Sequence, residues 1–333
     1  MGSISFGGGG FGHTGFHEGS APEPFNALNG HRLAGPQGSH PLHTVRPEDL
    51  LVPSDGKVDG EILLDHPARV GEGIEGTIRL VAREALEARG AALRLVGLKL
   101  VEYEKSRTYK IDDEHERTEY WVEANGSLFI EDAFMEPVIP AQMSPGQAFE
   151  TRFTVPAPPL GPPSAHLGEA IVAWALEIRW DVRMGDDGHV AILVPVAQHP
   201  DLIRAGVSRQ GGIALLDTVD IKGATISVAD PLPAAPGSTL RLTVHWSDAP
   251  KGNARVELHR RTNAPNGTEG ILASAATTSE VLAAGDAVVE LAIPAGIPPS
   301  FDGAGLENTY IIRALVDRRF MPDRAIERPV SIA

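Results

Sequence analysis

Histidines are the first residues in this chain whose type and spacing could do chemistry, since a neutral imidazole is a common zinc ligand. His13 and His17 are four positions apart, and His40 and His43 three. Both pairs lie in a Gly-rich stretch without helical propensity, where such spacing does not place side chains on one face. The chain has no cysteine and no His-Glu-x-x-His sequence. We therefore expect no metal site and no cofactor.

The charged stretch 102–119, EYEKSRTYKIDDEHERTE, is the next candidate. Its mixed signs favour a solvated hairpin as the simplest interpretation. The alternative is a partner-binding loop, because loops on rigid sandwiches often carry recognition. Its acidic residues could bind a cation or a basic peptide, while its basic residues argue against a simple anion trap. The candidate contact residues are Lys105, Arg107, Lys110, Asp112, Asp113, Glu114 and Glu116.

Catalytic motifs are missing from the sequence. There is no Gly-x-Ser-x-Gly elbow, and the Gly7–Gly10 run precedes no strand–helix unit that could hold a phosphate. Without cysteine, thiolate nucleophiles are excluded as well. We expect a protein that is not an enzyme.

Residues 1–50 differ in composition from the rest and are predicted to form a flexible N-terminal tail. Gly, Ser, Pro and His dominate there, and such a stretch buries too little apolar area to offset its ordering entropy. Spaced phenylalanines in a Gly-rich chain can also act as a docking peptide or lie along a sheet edge. The candidate docking residues are Phe6, Phe11, Phe16 and Phe25.

Charge and hydropathy limit the partners and the location. The net charge of −15 argues against nucleic acid and anionic membranes, which both attract excess Lys and Arg. No apolar run approaches the ~18 residues that span a bilayer, and no secretory signal is evident. We expect a cytoplasmic protein without stable membrane insertion, whose partners are other proteins or further copies of itself.

Short alternating segments from about residue 57 onward predict β-strands. In 170–182, AIVAWALEIRWDV, every second residue from Val172 to Val182 is apolar, and this set should face a core. Residues 83–89, REALEAR, are the one good helix-forming run and predict a turn or two of helix.

The chain nearly repeats itself. Ser164 precedes Trp174 by ten residues, and Ser300 precedes Tyr310 by ten; each half then ends on a Pro-Val pair, Pro195-Val196 and Pro329-Val330. Two copies of one strand–loop–strand unit predict an all-β chain of two tandem antiparallel β-sandwiches. We place the tail at 1–50, the N-terminal sandwich at 51–203 and the C-terminal sandwich at 204–333.

Asp181 and Asp317 recur at matched positions of the repeated strand, seven residues after Trp174 and Tyr310. The simplest interpretation is a strand-end carboxylate that accepts hydrogen bonds from turn amides. The alternative is an interdomain charge pair with arginines such as Arg204 or Arg318, which would limit rotation between the domains.

The chain resembles the arrestin-like superfamily over roughly residues 57–333. The segment 69–76 resembles the family's opening turn, Pro145-Gly146 and Pro162-Pro163-Ser164 resemble its conserved turns, and Trp174 stands at its strand tyrosine. Residues 190–200 resemble the strand that closes the N-terminal domain. A weaker echo in the second half comprises Ala235-Pro236-Gly237-Ser238, Ile297-Pro298-Pro299-Ser300 and Tyr310.

The resemblance implies two immunoglobulin-like sandwiches laid end to end and a role in binding proteins. Pro195 stands where receptor-binding arrestins carry a buried arginine, and no PPxY peptide or clathrin-binding box is present. The chain is therefore similar to a divergent arrestin-domain protein of the prokaryotic kind, rather than to a receptor-desensitising one, and the resemblance does not imply phosphate sensing.

Together these features predict a non-catalytic adaptor or scaffold that holds a protein partner on its sandwich faces, loops or a sheet edge. Two alternatives stay open at this point. One is a self-assembling structural protein bridged by the N-terminal tail. The other is a sugar- or ligand-binding β-sandwich module, although aromatic residues make up only 5% of the chain.

Overall fold

The computed structural model describes residues 31–33, 41–51, 56–111, 115–135, 140, 142–155, 161–182, 188–199, 201, 219–220, 223–248, 253–263, 270–276, 285–317 and 324–333. The regular elements whose bounds lie wholly in these ranges are β-strands and two short 3₁₀ turns, Pro41–Thr44 and Pro47–Leu50. The prediction of a mainly antiparallel all-β chain is confirmed.

The first sandwich pairs a small sheet with a large one. The small sheet has the order β2-β4-β8, and the large sheet β1-β6-β5-β10-β11, with β7 and β9 at its margins. Strands β3 and β12 form a parallel pair at one end. The strands are β1 His31–Leu33, β2 Val58–Leu64, β3 Ala68–Arg69, β4 Ile74–Ala82, β5 Leu86–Lys110, β6 Glu116–Met135, β7 Gln142–Met143, β8 Ala148–Val155, β9 Ala165–His166, β10 Ala170–Val182, β11 Gly188–Leu193 and β12 Val196–Ala197.

The second sandwich repeats this arrangement. Its small sheet has the order β14-β15-β18, and its large sheet β13-β21-β20-β16-β17, with β19 paired to β20. The strands are β13 Val219–Asp220, β14 Ala224–Val228, β15 Thr239–Trp246, β16 Asn253–Thr262, β17 Gly270–Ala276, β18 Gly285–Ala292, β19 Phe301–Gly303, β20 Leu306–Asp317 and β21 Arg324–Val330. The domain boundary at 203/204 lies outside the described residues and stays a prediction.

Period-two alternation builds each core, because successive side chains of a strand point to opposite faces of the sheet. In the first sandwich Val172, Trp174, Leu176, Ile178 and Trp180 are all buried against the small sheet. In the second, Tyr310, Ile312, Ala314 and Val316 of β20 do the same. The prediction that these parities face the core is confirmed.

Matched hydrogen bonds close both sandwiches. The Trp174 indole donates to the Pro162 carbonyl at 3.0 Å, and the Tyr310 hydroxyl donates to the Pro298 carbonyl at 2.6 Å. Burial raises the pKa of Tyr310, so the phenol stays a donor.

Ser164 and Ser300 each exchange hydrogen bonds with the closing segment of their own half, at Val196 and Ile332. The Ser164 hydroxyl accepts from the Val196 amide at 2.9 Å, and the Ser300 hydroxyl accepts from the Ile332 amide at 3.0 Å. Val196 therefore corresponds to Ile332. The sequence-based match of Pro195-Val196 with Pro329-Val330 is wrong by two residues, because the Pro-Val spelling is shared but the backbone position is not.

The segment 41–51, here called the strap, lies across the outer face of the large sheet in the first sandwich. Leu42 and Leu50 are buried there against Leu98, Leu100 and Ile171. The prediction that residues 1–50 form one flexible tail is therefore wrong for 41–50. The two leucines, spaced eight apart between prolines and polar residues, bury apolar area that a composition argument underestimates.

The helix predicted at 83–89 is also wrong. Strand β5 begins at Leu86, whose side chain is 6% exposed in the first core and whose backbone pairs with Met143 of β7. Burial of Leu86 and pairing of the ladder outweigh a helix propensity of at most a few tenths of a kcal/mol per residue.

Candidate functional site

The charged stretch forms a two-stranded ribbon that continues β5 and β6 beyond the body of the first sandwich. We call residues 103–121 the arm. Its strands are paired without interruption from Tyr103 opposite Glu123 to Lys110 opposite Glu116, and next to this last pair the Ile111 amide donates to the His115 carbonyl at 2.9 Å. Thr, Tyr and Trp recur along both strands, and such side chains favour a pleated surface. The arm is thus a hairpin, as the simplest interpretation of this stretch predicts, and the strands place the charged side chains at fixed intervals.

Both faces of the arm are exposed. From Glu104 to Ser106 on β5 and from Glu116 to Tyr120 on β6, side chains of either parity are open to water. Ile111 is 62% exposed and Tyr120 66%. The six residue steps from Glu104 to Lys110 span about 20 Å. A ribbon this long adds little buried apolar area, so burial does not account for its length.

Cross-strand contacts hold the arm in shape. The hydroxyls of Thr108 and Thr118 are 2.9 Å apart. The Tyr109 hydroxyl donates to Glu119 at 3.0 Å, and this hydrogen bond raises the pKa of Tyr109. Along β6 itself, the Trp121 indole donates to Glu123 at 2.7 Å. The two cross-strand pairs are of the kind that stabilises isolated hairpins.

One face of the arm alternates rings and cations along β5. Tyr103, Lys105, Arg107 and Tyr109 stand at every second position, which places them on the same face. The Lys105 ammonium lies 6.0 Å from the centroid of the Tyr103 ring. Among the described residues the structure gives Lys105 and Arg107 no carboxylate partner.

The outer edge of β5 changes neighbours at the base of the arm. Strand β10 pairs with β5 as far as Ala170 opposite Val101. One step further, the Glu102 amide donates to the Glu169 carbonyl at 3.0 Å. Backbone groups alternate in direction along a strand, so the amides of Glu104, Ser106 and Thr108 also point toward this edge. Within the described part of the chain no strand pairs with Ser106 or Thr108 at this edge.

The edge of β6 shows that the ribbon accepts an added strand. Strand β1 pairs antiparallel with β6 there, with Leu33 opposite Val122 and His31 opposite Ala124. Its described pairing reaches Leu33, at the base of the arm. Beyond these pairings, no described strand pairs with the edge of Glu116–Tyr120 or with the edge of Lys105–Lys110.

Most of the sequence-predicted contact residues come together on the arm. Lys105, Arg107, Lys110 and Glu116 lie on its paired strands and are exposed. Asp112, Asp113 and Glu114 lie outside the described residues. Sequence reasoning favoured a solvated hairpin, with a recognition loop as the alternative, and did not single out Tyr103, Tyr109 or the β5 edge. The alternation of 102–110 was the signal that could have found them.

The remaining candidates are not brought to this surface. Phe6, Phe11, Phe16 and Phe25 lie outside the described residues. Asp181 and Asp317 stand on the backbone of β10 and β20 opposite Gly90 and Asn253, and their side chains are not described. The proposed docking role of the phenylalanines and the interdomain role of the two aspartates stay predictions.

The described contacts between the two sandwiches include a group just before the start of β10, at the end opposite Asp181 and next to the base of the arm. The Glu169 carboxylate, 1% exposed, accepts from Arg260 at 3.1 Å and from Thr262 at 2.5 Å. Arg260 also donates to the Leu167 carbonyl at 2.7 Å. Glu169 was not singled out from the sequence, because a lone Glu before a strand carries no visible signal of its partner.

A second contact joins the β19–β20 turn to the first sandwich. Lys99 donates to the Ala304 carbonyl at 2.6 Å, and Phe301 and Leu306 are buried in the first core. A Cβ on Gly303 would stand 3.0 Å from the Pro162 backbone nitrogen, so only glycine allows this approach without displacement.

The strap is tied to the same region. The buried Glu102 carboxylate accepts from the Leu42 amide at 2.6 Å, and the His166 Nε2 lies 3.0 Å from the Val45 carbonyl. Strap, arm base and interdomain contact thus meet within a few residues of the start of β10.

No group of three or more His, Cys, Asp or Glu residues that could hold a metal ion occurs among the residues the structure describes. In the same residues, no helix has the length and apolarity needed to cross a membrane.

Comparison with known proteins gives one structural match to report. No protein-family model matches the chain, and no curated protein matches it either. Among solved structures the chain is similar to Spo0M, the sporulation control protein of Bacillus subtilis, at 13% sequence identity. The match covers 82% of this chain and 91% of that one, with a TM-score of 0.26. The sandwich architecture rests on the strand order described above.

Proposed function

We propose that this chain is a non-catalytic adaptor or scaffold, and that the arm is the surface on which it binds a protein partner. The observation that carries the proposal is the exposure of the arm on both faces and at both edges. An open, ordered ribbon offers backbone hydrogen bonds for affinity and alternating side chains for specificity. The resemblance to arrestin-like proteins supports a role of the same class.

The test compares two chains as baits for affinity capture from the cells that produce the protein. One is the full chain. In the other, Asn-Gly replaces residues 106–120 and joins the register partners Lys105 and Trp121 through a two-residue turn. Strand β1 keeps its pairing with 122–124 in both chains. Circular dichroism and thermal unfolding check that the shortened chain is folded.

We expect a stoichiometric protein on the full chain and its loss from the shortened one. Equal capture by both chains would show that the partner binds elsewhere. A concentration-dependent mass of the purified full chain that disappears in the shortened one would instead favour self-assembly through the arm.

A further inference from the structure

The two edges of the arm differ in charge. Along β5 the residues from Tyr103 to Lys110 include three cations and one carboxylate, Lys105, Arg107, Lys110 and Glu104. Along β6 the residues from Glu116 to Trp121 include two carboxylates and one cation, Glu116, Glu119 and Arg117. A strand added at the β5 edge would lie beside the cations, about 4.8 Å away, and the β6 carboxylates would be twice as far.

Two carboxylates on this face of the ribbon accept hydrogen bonds within it. Glu119 accepts from Tyr109, and Glu123, next to the arm, accepts from Trp121. Lys105 and Arg107 have no such partner among the described residues, and both are exposed. They are the charged side chains of this face that stand nearest to a strand added at the β5 edge, although the whole chain carries −15.

The β5 edge is a continuation of pairing that already exists. From Val101 backward its outward groups are bonded to β10, and the Glu102 amide bonds the Glu169 carbonyl. An added strand would lie end to end with β10 and use the amides and carbonyls of Ser106 and Thr108. The pairing of β1 with β6 on the opposite side shows the same kind of addition within this chain.

We propose, on the basis of the function proposed above, that the β5 edge of the arm binds an extended acidic segment of the protein partner as an added strand. Its acids stand at alternate positions beside Lys105 and Arg107, and its apolar side chains flank them beside Tyr103 and Tyr109. The expected motif of the bound segment is an apolar residue, two acids and an apolar residue, with one residue between each. Because the order Tyr-Lys-Arg-Tyr on β5 is nearly symmetric, this motif is the same for a segment that binds in either chain direction.

The experiment uses a phage-displayed library of random peptides of about twelve residues, selected on the full chain. Two proline variants distinguish the edges. Ser106→Pro removes an amide that points outward from β5. Thr118→Pro removes an amide that points outward from β6. Thr118 lies directly opposite Thr108, and since the Thr108 amide points away from β6, the Thr118 amide points away from β5. Both positions are exposed, and Pro is tolerated at such edge positions.

Charge is tested separately. Lys105→Glu with Arg107→Glu reverses the two cations of the face. The control is Arg79→Glu with Arg241→Glu on the two small sheets, which changes the net charge of the chain equally at exposed positions. Binding of the enriched peptides to all variants is then measured at low and at high salt.

We expect enrichment of the acidic alternating motif, a loss of about tenfold or more for Ser106→Pro and for the double reversal, and near-full binding for Thr118→Pro and the control. Enriched peptides without acidic excess, an equal loss for both proline variants, or no enrichment would overturn the proposal.

The partner found by capture separates this proposal from the function on which it rests. If the shortened chain loses the partner while Ser106→Pro and the double reversal keep it, the arm is the binding surface but the β5 edge is not. If the shortened chain keeps the partner, the proposed function itself is wrong.

Discussion

The hairpins β5–β6 and β16–β17 occupy the same place in the two sandwiches but differ in length. Both lie next to the strand that carries the matched aromatic residue, β10 or β20. The strands of the first have 25 and 20 residues, and those of the second 10 and 7. The shorter pair suffices to complete a sandwich. The extra length of the first contributes no comparable burial, which favours a role in binding over one in stability.

The outer faces of the two large sheets differ as well. In the first sandwich the strap covers an apolar cluster, with the ion pair of Arg94 and Glu177 beyond it. In the second, Glu257 accepts hydrogen bonds from Arg255 and His259. Glu177 faces Arg94 in register, and at the equivalent position Arg313 faces Glu257, with the two signs exchanged. The two copies thus solve the same burial problem with different side chains.

The largest expected effect comes from Glu177→Gln in the first sandwich. Glu177 is fully buried between Arg94 and Arg179, so neutralising it removes the buried carboxylate charge that both cations contact. We expect a loss of about 3–5 kcal/mol in the free energy of unfolding, measured by urea denaturation. The control Glu61→Gln, at an exposed position of β2, should change it by less than about 0.5 kcal/mol. A similar loss in both variants would contradict a special role of the buried pair.

The reversed pair in the second sandwich predicts a pH dependence. Burial raises the pKa of Glu257, but hydrogen bonds from Arg255 and His259 outweigh it, and the net pKa is lowered from 4.5. A carboxyl with a lowered folded pKa stabilises the fold above its unfolded pKa. That contribution is lost as pH falls from about 4.5 through the folded value.

We expect Glu257→Gln to flatten the decrease in the free energy of unfolding below pH 4.5, measured by urea denaturation at several pH values. The exposed Glu290→Gln on β18 is the control and should leave the slope unchanged. An unaltered slope in Glu257→Gln would show that the Glu257 cluster does not couple to folding.

The strap gives the next prediction. Leu50→Ala should cost about 2–5 kcal/mol, because the leucine is 2% exposed in the outer cluster of the first sandwich. Leu63→Ala removes the same atoms from a side chain that is 55% exposed and should cost far less. Thermal unfolding of both variants measures the difference. Equal values would mean that the strap adds no stability to the outer face.

The matched hydrogen bonds of the two serines predict smaller losses of stability that are equal in the two sandwiches. Ser164→Ala and Ser300→Ala each remove the acceptor of one amide on the closing segment. We expect about 1 kcal/mol for each by urea denaturation, with the two values alike. A large difference between the serines would show that the repeat is one of sequence and backbone only, and not of energetics.

The smallest effect on stability is expected on the arm. Tyr120→Ser changes an exposed ring and should shift the free energy of unfolding by less than about 0.5 kcal/mol. The same measurement on Phe153→Ser, a buried position of β8, should show a loss of several kcal/mol. A strong loss for Tyr120→Ser would make the arm a structural element and weaken its proposed role.

Local patterns in the sequence predicted most of the first-order structure. The parity of Val172 and Trp174, the spacing of Ser164 to Trp174, and its repetition at Ser300 and Tyr310 identified the core strands and the tandem repeat. These succeed because side-chain direction in a strand depends only on position along the chain. The prediction of a flexible segment was wrong for the strap because its leucines are buried by a sheet that is remote in sequence.

For the candidate site, too, local sequence patterns account for one part and contacts between distant segments for the other. The sequence by itself determined that 102–119 is polar, mixed in charge and alternating, and so a hairpin. Only the tertiary structure decided that the pairing of β10 with β5 stops at Val101 and that no described strand pairs with the β5 edge from Lys105 to Lys110. It also decided that Glu169 meets Arg260 from the other sandwich and that Glu102 holds the strap. Each of these depends on pairing between distant segments, and such contacts are set by packing of the whole chain and not by local preference.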